Sequence, residues 1–146
     1  MQNNICINKA TKKDIAKICE IEKICFQEPY SFSQLNEDFV YSKNKFFVML
    51  IDNTIIGYIY FSVVLDEAEL LRIAILPQYR NKGYGTFLFN KSYEQLKDNI
   101  NKIFLEVSEN NIIAKLLYEN QGFKEIYRRE NYYKDGSCAI IMEKFI

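Results

Sequence analysis

The chain has 146 residues, enough for one domain around one sizeable core. It is 49% hydrophobic and 15% aromatic, which excludes a disordered chain. Its 19 basic and 19 acidic side chains cancel, so no global field draws it to nucleic acid or to an anionic membrane.

Four cysteines occur, Cys6, Cys19, Cys25 and Cys138, none of them in a C-x-x-C pair, and there is no histidine. A zinc site of Cys and His is therefore not expected, and no metal is assigned. Ser-His-Asp and Cys-His catalysis are excluded as well. Proton transfer near neutral pH falls to a carboxylate, a tyrosine, a cysteine, a lysine or water. Free, buried or half-buried thiols in a reducing compartment are the expectation. The first residues contain no apolar signal-peptide core, and no run approaches the roughly 18 apolar residues of a spanning helix. The reading is a soluble, cytoplasmic protein. No repeat, low-complexity stretch or Pro/Gly-rich linker divides it, so residues 1–146 read as a single domain.

Residues 4–8 alternate and predict a first strand. Thr11 with Asp14 predicts a helix start, and Ile15, Ile18, Cys19, Ile21 and Cys25 mark the apolar side of that helix. Ser31 or Ser33 can cap a shorter helix carrying Leu35 and Phe39. Residues 45–51 read as a strand, Asp52-Asn53 as a hairpin turn, and residues 54–65 as a long apolar strand. Gly57 within that strand predicts a bulge or a close backbone approach. A turn at Asp66 and Glu67 leads to a strand over 68–76, ended by Pro77.

The stretch 78–85 is a polar, glycine-bearing loop, and 86–97 a helix. A short strand follows over 102–107. It precedes a helix over 111–121 stopped by Gly122, and a closing hairpin over 123–132 and 138–145, turning near Asp135-Gly136. Strand, helix, strand in the middle implies a parallel crossover, whereas the meander and the last hairpin imply antiparallel pairs. The fold class is α/β (α+β): a mixed, mostly antiparallel sheet of six to seven strands with about four helices on its two faces.

The strongest local signal is Arg80-Asn81-Lys82-Gly83-Tyr84-Gly85, set between a buried strand and an amphipathic helix. A helix start offers unpaired N–H groups and a positive dipole end, glycines let a backbone approach a phosphate, and Arg80 and Lys82 add charge. A Walker loop would need G-K-[ST], and a dinucleotide fingerprint a third glycine at Leu88. The R-x-x-G-x-G loop that cradles the coenzyme A pyrophosphate matches at every defined position. An ordinary strand-to-helix turn is the competing reading of the hexapeptide alone.

The surrounding LLRIAILPQYRNKGYGTFLF resembles the strand-loop-helix core of the GNAT acetyltransferases, and Asn111-x-x-Ala114-x-x-Leu117-Tyr118-x-x-x-Gly122-Phe123 is similar to their second hallmark. VLDEAELLRIAI, IFLEV, LYENQGF and RRENYY together resemble the RimI-type ribosomal-protein alanine N-acetyltransferases. The resemblance implies a GNAT fold and transfer of acetyl from acetyl-CoA, as cosubstrate, to an amine. The acceptor it implies is a protein or peptide N-terminus, a ribosomal protein among the candidates.

It further implies that Ile73, Ala74 and Ile75 carry the pantetheine arm, with the backbone of Ile73 and Ile75 pairing to it. Backbone N–H groups from Arg80 through Asn81, Lys82, Gly83, Tyr84 and Gly85 to Thr86 would hold the pyrophosphate, and Asn111 would touch the coenzyme near its reactive end. Glu106 takes the place of a general base and Tyr118 that of a general acid. Ser108 stands where that pattern carries an arginine.

Glu106 is also the odd residue in an apolar strand, where burial would raise its pKa; alternation to solvent or a basic partner is the other reading. Tyr118 could equally be a core aromatic. Tyr132 and Tyr133 could wall a slot for a peptide N-terminus or simply pack the hairpin, and Glu69 could attract a cationic amine or sit in a solvated turn. Small-amine acetylation and a coenzyme A-binding sensor without turnover stand as alternative functions.

Overall fold

The computed structural model describes residues 4–146, which form seven strands and four α-helices. β1 is Ile5–Lys9. A 3-10 turn, Lys12–Asp14, leads into α1, Ile15–Cys25. The Asp14 carboxylate accepts from the Thr11 backbone N–H at 2.7 Å, which satisfies a donor at the helix entry as the Thr11/Asp14 spacing predicts. α2 is Phe32–Phe39, capped by Ser31, whose hydroxyl accepts from the Gln34 N–H at 3.1 Å.

β2, Asn44–Ile51, turns through Asp52 and Asn53, both at positive φ, into β3, Thr54–Val64. This is the tight hairpin geometry that Asp and Asn tolerate. The β2/β3 register slips between Met49 and Leu50, opposite Gly57. A Cβ at Gly57 would lie 2.6 Å from the Ala74 carbonyl oxygen and from Ile75 Cδ1. Both halves of the expectation for Gly57 hold: a bulge, and a close approach of the next strand.

β4, Glu67–Ile75, is joined through α3, Tyr84–Leu96, to β5, Lys102–Ser108. α4, Ile112–Asn120, precedes β6, Lys124–Arg129, and β7, Ala139–Phe145. The sheet order is β1-β2-β3-β4-β5-β7-β6. β4 and β5 are parallel and the other neighbours antiparallel, so the sheet is mixed and mostly antiparallel as the element order predicts. The final hairpin is shorter than expected. β6 ends at Arg129, so Tyr132 lies in the connecting loop with Tyr133 rather than in the strand.

Two apolar layers hold the helices to opposite faces. α3 and α4 pack Leu88, Phe89, Leu96 and Tyr118 on Phe47, Ile59, Phe61, Leu70, Ile103, Leu105 and Ile140. α1 and α2 pack Ile15, Ile18, Ile21 and Leu35 on Phe46, Val48, Tyr58, Tyr60 and Ala74. Burying such a side chain contributes roughly 1.5–3 kcal/mol. The four cysteines are free; Cys19 is buried and the others half-buried. Among the described residues no helix is long and apolar enough to cross a membrane.

Candidate active site

The sheet opens at its one parallel pair. β4 pairs with β5 only from Glu67 to Leu70, opposite Lys102 to Leu105, yet β4 runs on to Ile75 and β5 to Ser108. The two strands therefore part like the prongs of a fork. On the β4 prong the Leu76 N–H donates to Ile56 in β3, which aims the Ala74 backbone the same way and the Ile73 and Ile75 backbone into the gap. The Ile75 carbonyl confirms this direction: it accepts from Arg80 Nε at 2.8 Å instead of from a strand. Unpaired strand groups of this kind form a template for an extended partner.

The glycine-bearing loop lies just beyond the β4 prong. Asn81 and Gly83 take positive φ, 64° and 79°. Gly83 is the N-cap of α3, so the helix begins at Tyr84, two residues before the expected Thr86. The first intrahelical bond is from the Phe87 N–H to Gly83, leaving the N–H groups of Tyr84, Gly85 and Thr86 at the positive dipole end. A Cβ at Gly83 would meet nothing within 4 Å, and one at Gly85 only Leu117 Cδ2 at 3.9 Å. Gly83 is thus required by its dihedral angle, whereas the protein's own packing does not require a glycine at 85. Arg80 turns back to Ile75, and Lys82 stays in solvent.

On the β5 prong, Ile103, Leu105 and Val107 face the α3/α4 core, and Glu106 alternates away from it. Of the two readings of Glu106, burial is not met and alternation to an open face beside a basic side chain is. Its side chain keeps 30% of its surface exposed, because α1 and α2 cover the other half of this face and leave β5 open. It looks into a cleft of about 540 Å³ whose walls include Tyr30, Glu69, Arg72, Arg129, Tyr132 and Tyr133. Arg129 Nη1 stands 3.9 Å from Glu106 Oε1. Burial, and then the Glu106 charge, raises the Glu69 carboxyl above its usual range. The Tyr133 phenol is pushed up to about 12, first by burial and then by Glu106. Tyr132 and Tyr133 meet edge to face at 5.1 Å.

Tyr118 occupies the opposite face of the sheet, within the α3/α4 core. The end of α4 fixes it. The Phe123 N–H donates to the Tyr118 carbonyl and the Gly122 N–H to that of Glu119, with Gly122 at φ 93°, a Schellman stop. The Phe123 ring packs against Tyr118 at 5.8 Å. Burial pushes the Tyr118 phenol up to about 12, so it is protonated throughout the neutral range. Asn111 caps the other end of α4, its side-chain oxygen accepting from the Ala114 N–H at 3.2 Å.

The fold and the fork are joined by a direct match: the model of the acetyltransferase (GNAT) family fits residues 15–123. The chain belongs to the GNAT family. This GNAT is similar to a [ribosomal protein bS18]-alanine N-acetyltransferase of Haemophilus influenzae, with 41% identity over 127 residues that make up 85% of this chain and 84% of that one. Its fold matches the crystal structure of the ribosomal-protein-S18-alanine N-acetyltransferase from Escherichia coli, with a TM-score of 0.91 and 31% identity over 98% of this chain and 94% of that chain. It also matches the PaiA N-acetyltransferase from Thermoplasma acidophilum in complex with coenzyme A, with a TM-score of 0.83 and 25% identity over 98% of this chain and 99% of that chain. This GNAT is an N-acetyltransferase.

Three residues of the GNAT cleft, Tyr30, Arg72 and Arg129, and the buried Glu22 behind Arg72 escaped the sequence reading. Two of them left a trace. Glu22 stands three and four residues after Cys19 and Ile18, a charge on the apolar side of α1, and Arg72 is the one cation in an apolar strand. Neither anomaly is more frequent at sites than at ordinary buried pairs.

Proposed function

We propose that the protein moves the acetyl group of acetyl-CoA to the N-terminal α-amine of a protein, of the ribosomal-protein alanine type, in the cytoplasm. The observation that carries this reading is the 41% identity to the bS18-alanine enzyme across 85% of the chain. The fork fits the coenzyme: Ile73 and Ile75 offer strand-like backbone groups on either side of Ala74, and the 80–86 loop offers N–H groups to a pyrophosphate. Asn111 stands at the start of α4, with its side-chain amide group left for the pantetheine arm. Acetyl-CoA, when bound, supplies an acetyl group activated as a thioester.

The chain's own residues supply the proton steps and the positioning. Glu106 takes the proton of the incoming ammonium, directly or through a water. An α-amine, of pKa about 7.7–8.0, suits a single carboxylate; a lysine amine at about 10.4 would cost roughly 3.5 kcal/mol more to neutralise. Tyr118, on the other side of the fork, gives its proton to the departing sulfur. Its burial suits that role, since a phenol held near 12 does not lose its proton to solvent first. Glu69, Tyr132 and Tyr133 receive the acceptor's N-terminus in the cleft. Holding amine and thioester together supplies most of the rate.

The test uses purified protein, acetyl-CoA and two short peptides, one with a free N-terminal Ala and no lysine, the other blocked and carrying one lysine. Mass spectrometry should find acetyl on the first alone. Modification of the lysine alone would refute the α-amine reading.

A further inference from the structure

Arg72 is a cation on the acceptor cleft that the proposed reaction leaves unassigned. Its orientation comes from a bulge. The β3/β4 register runs Tyr60–Arg72 and then Phe61–Leu70, so Leu71 is the extra residue. Such a bulge re-aims the side chains beside it. Leu70 faces the α3/α4 core, whereas Arg72 turns to the other face and lines the cleft with 21% of its side chain exposed.

The guanidinium is then clasped. It lies 3.9 Å above the Phe26 ring and 4.3 Å from that of Tyr30. Nη2 donates to Glu22 Oε1 at 3.2 Å and to the Glu28 carbonyl at 2.9 Å. Glu22 is fully buried, and it also accepts from the Tyr58 hydroxyl at 2.5 Å and from the Tyr30 N–H at 2.8 Å. A carboxylate taken wholly out of water persists only when paired and hydrogen-bonded in this way. Both Arg72 bonds leave from Nη2. Nε is buried without an acceptor, and Nη1 is not spent on Glu22 or Glu28. A guanidinium plane already ordered by stacking loses little further freedom when it donates again.

We propose that Arg72 determines acceptor specificity by donating to a main-chain carbonyl beside the reacting amine, and that Glu22 is the positioning residue that holds it there. The inference rests on the peptide reading above and deepens it. A peptide N-terminus brings carbonyl acceptors, whereas a polyamine brings only cations, which a fixed guanidinium repels.

The experiment measures kcat and both KM values for an Ala-initiated peptide and for spermidine, with melting temperatures for every variant. Arg72→Met should raise the peptide KM by at least about tenfold, the loss of one charge-assisted hydrogen bond. The KM for acetyl-CoA should stay unchanged, and discrimination against spermidine should shrink. Arg72→Lys, which keeps a donor, should fall between wild type and Arg72→Met. Glu22→Gln should move the peptide KM in the same direction by less. A merely structural role would instead move both KM values and the melting temperature together. An unchanged peptide KM in Arg72→Met, or parallel loss for both substrates, overturns the assignment while the α-amine reading stands. A wild type that acetylates spermidine and ignores the peptide overturns both.

Discussion

The two prongs of the fork are built from different materials. The β4 prong presents backbone, with Ile73 offering N–H and C=O and Ile75 its N–H, since the Ile75 carbonyl already accepts from Arg80, while their side chains pack into the α3/α4 core. The β5 prong contributes one carboxylate, Glu106, to the cleft, while its far edge pairs with β7 from Lys102 to Ser108. A ligand held by backbone tolerates any side chain that preserves the strand, whereas chemistry done by a carboxylate tolerates none that lacks one. The prongs should therefore answer mutation in opposite ways.

The sharpest test is on the β5 side. Glu106→Gln should lower kcat by roughly 10²–10⁴-fold, the range for a lost acid–base group, with acetyl-CoA binding unchanged by calorimetry. Unchanged turnover would remove Glu106 from the mechanism. Tyr118→Phe should also reduce kcat, because the departing thiolate then leaves without its proton donor. The tyrosine also carries a signature in stability. Its folded pKa of about 12 lies above the unfolded value of about 10. Burial of the neutral ring therefore contributes fully below pH 10 and is lost as the pH rises towards 12. Urea midpoints should converge for wild type and Tyr118→Phe in that window.

On the β4 side the damage should come through geometry. Gly57→Val places a Cβ where the Ala74 carbonyl and Ile75 now stand, and should cost about 1–3 kcal/mol of stability while weakening acetyl-CoA binding, as read by melting and calorimetry. Gly85→Ala meets only ordinary packing in the protein, so the melting temperature should hold while coenzyme affinity falls. If affinity also holds, no ligand approaches at residue 85. Ile73→Val should be the mildest, a loss of 0.5–1.5 kcal/mol in stability, roughly, with kinetics unchanged.

What the sequence revealed follows the same division. Features set by local backbone chemistry were legible: the Asp52-Asn53 turn, the close approach at Gly57, the glycine loop and the Gly122 stop each rest on a few adjacent residues. The start of α3 was misplaced by two residues because a left-handed N-cap glycine looks like loop until the helix is seen. Features set by which face is covered were not legible. Glu106 reads either as buried in an apolar run or as alternating to solvent, and only the helices, which leave its face of β5 open, decide for the second. The Glu22, Tyr58 and Arg72 cluster joins residues 36 and 50 positions apart, a distance that periodicity does not span. Tyr132 read as the end of a strand, whereas the loop from residue 130 to 138 carries it, with Tyr133, to the wall of the cleft.

The short pairing of β4 with β5 has a mechanical consequence. Strands β1 to β4 form one ladder and β5 to β7 another, and among the described residues strand pairing joins them from Glu67 to Leu70 alone. An extended ligand bonded along the free edge of β4 would continue the β1–β4 ladder into the gap without any change of fold. Occupancy at 100 times the dissociation constant adds about 2.7 kcal/mol to stability. Much of that gain should surface as slower amide exchange at Ile73 and Ile75, whose backbone groups face the gap, so that the cosubstrate stiffens the prong along which it lies.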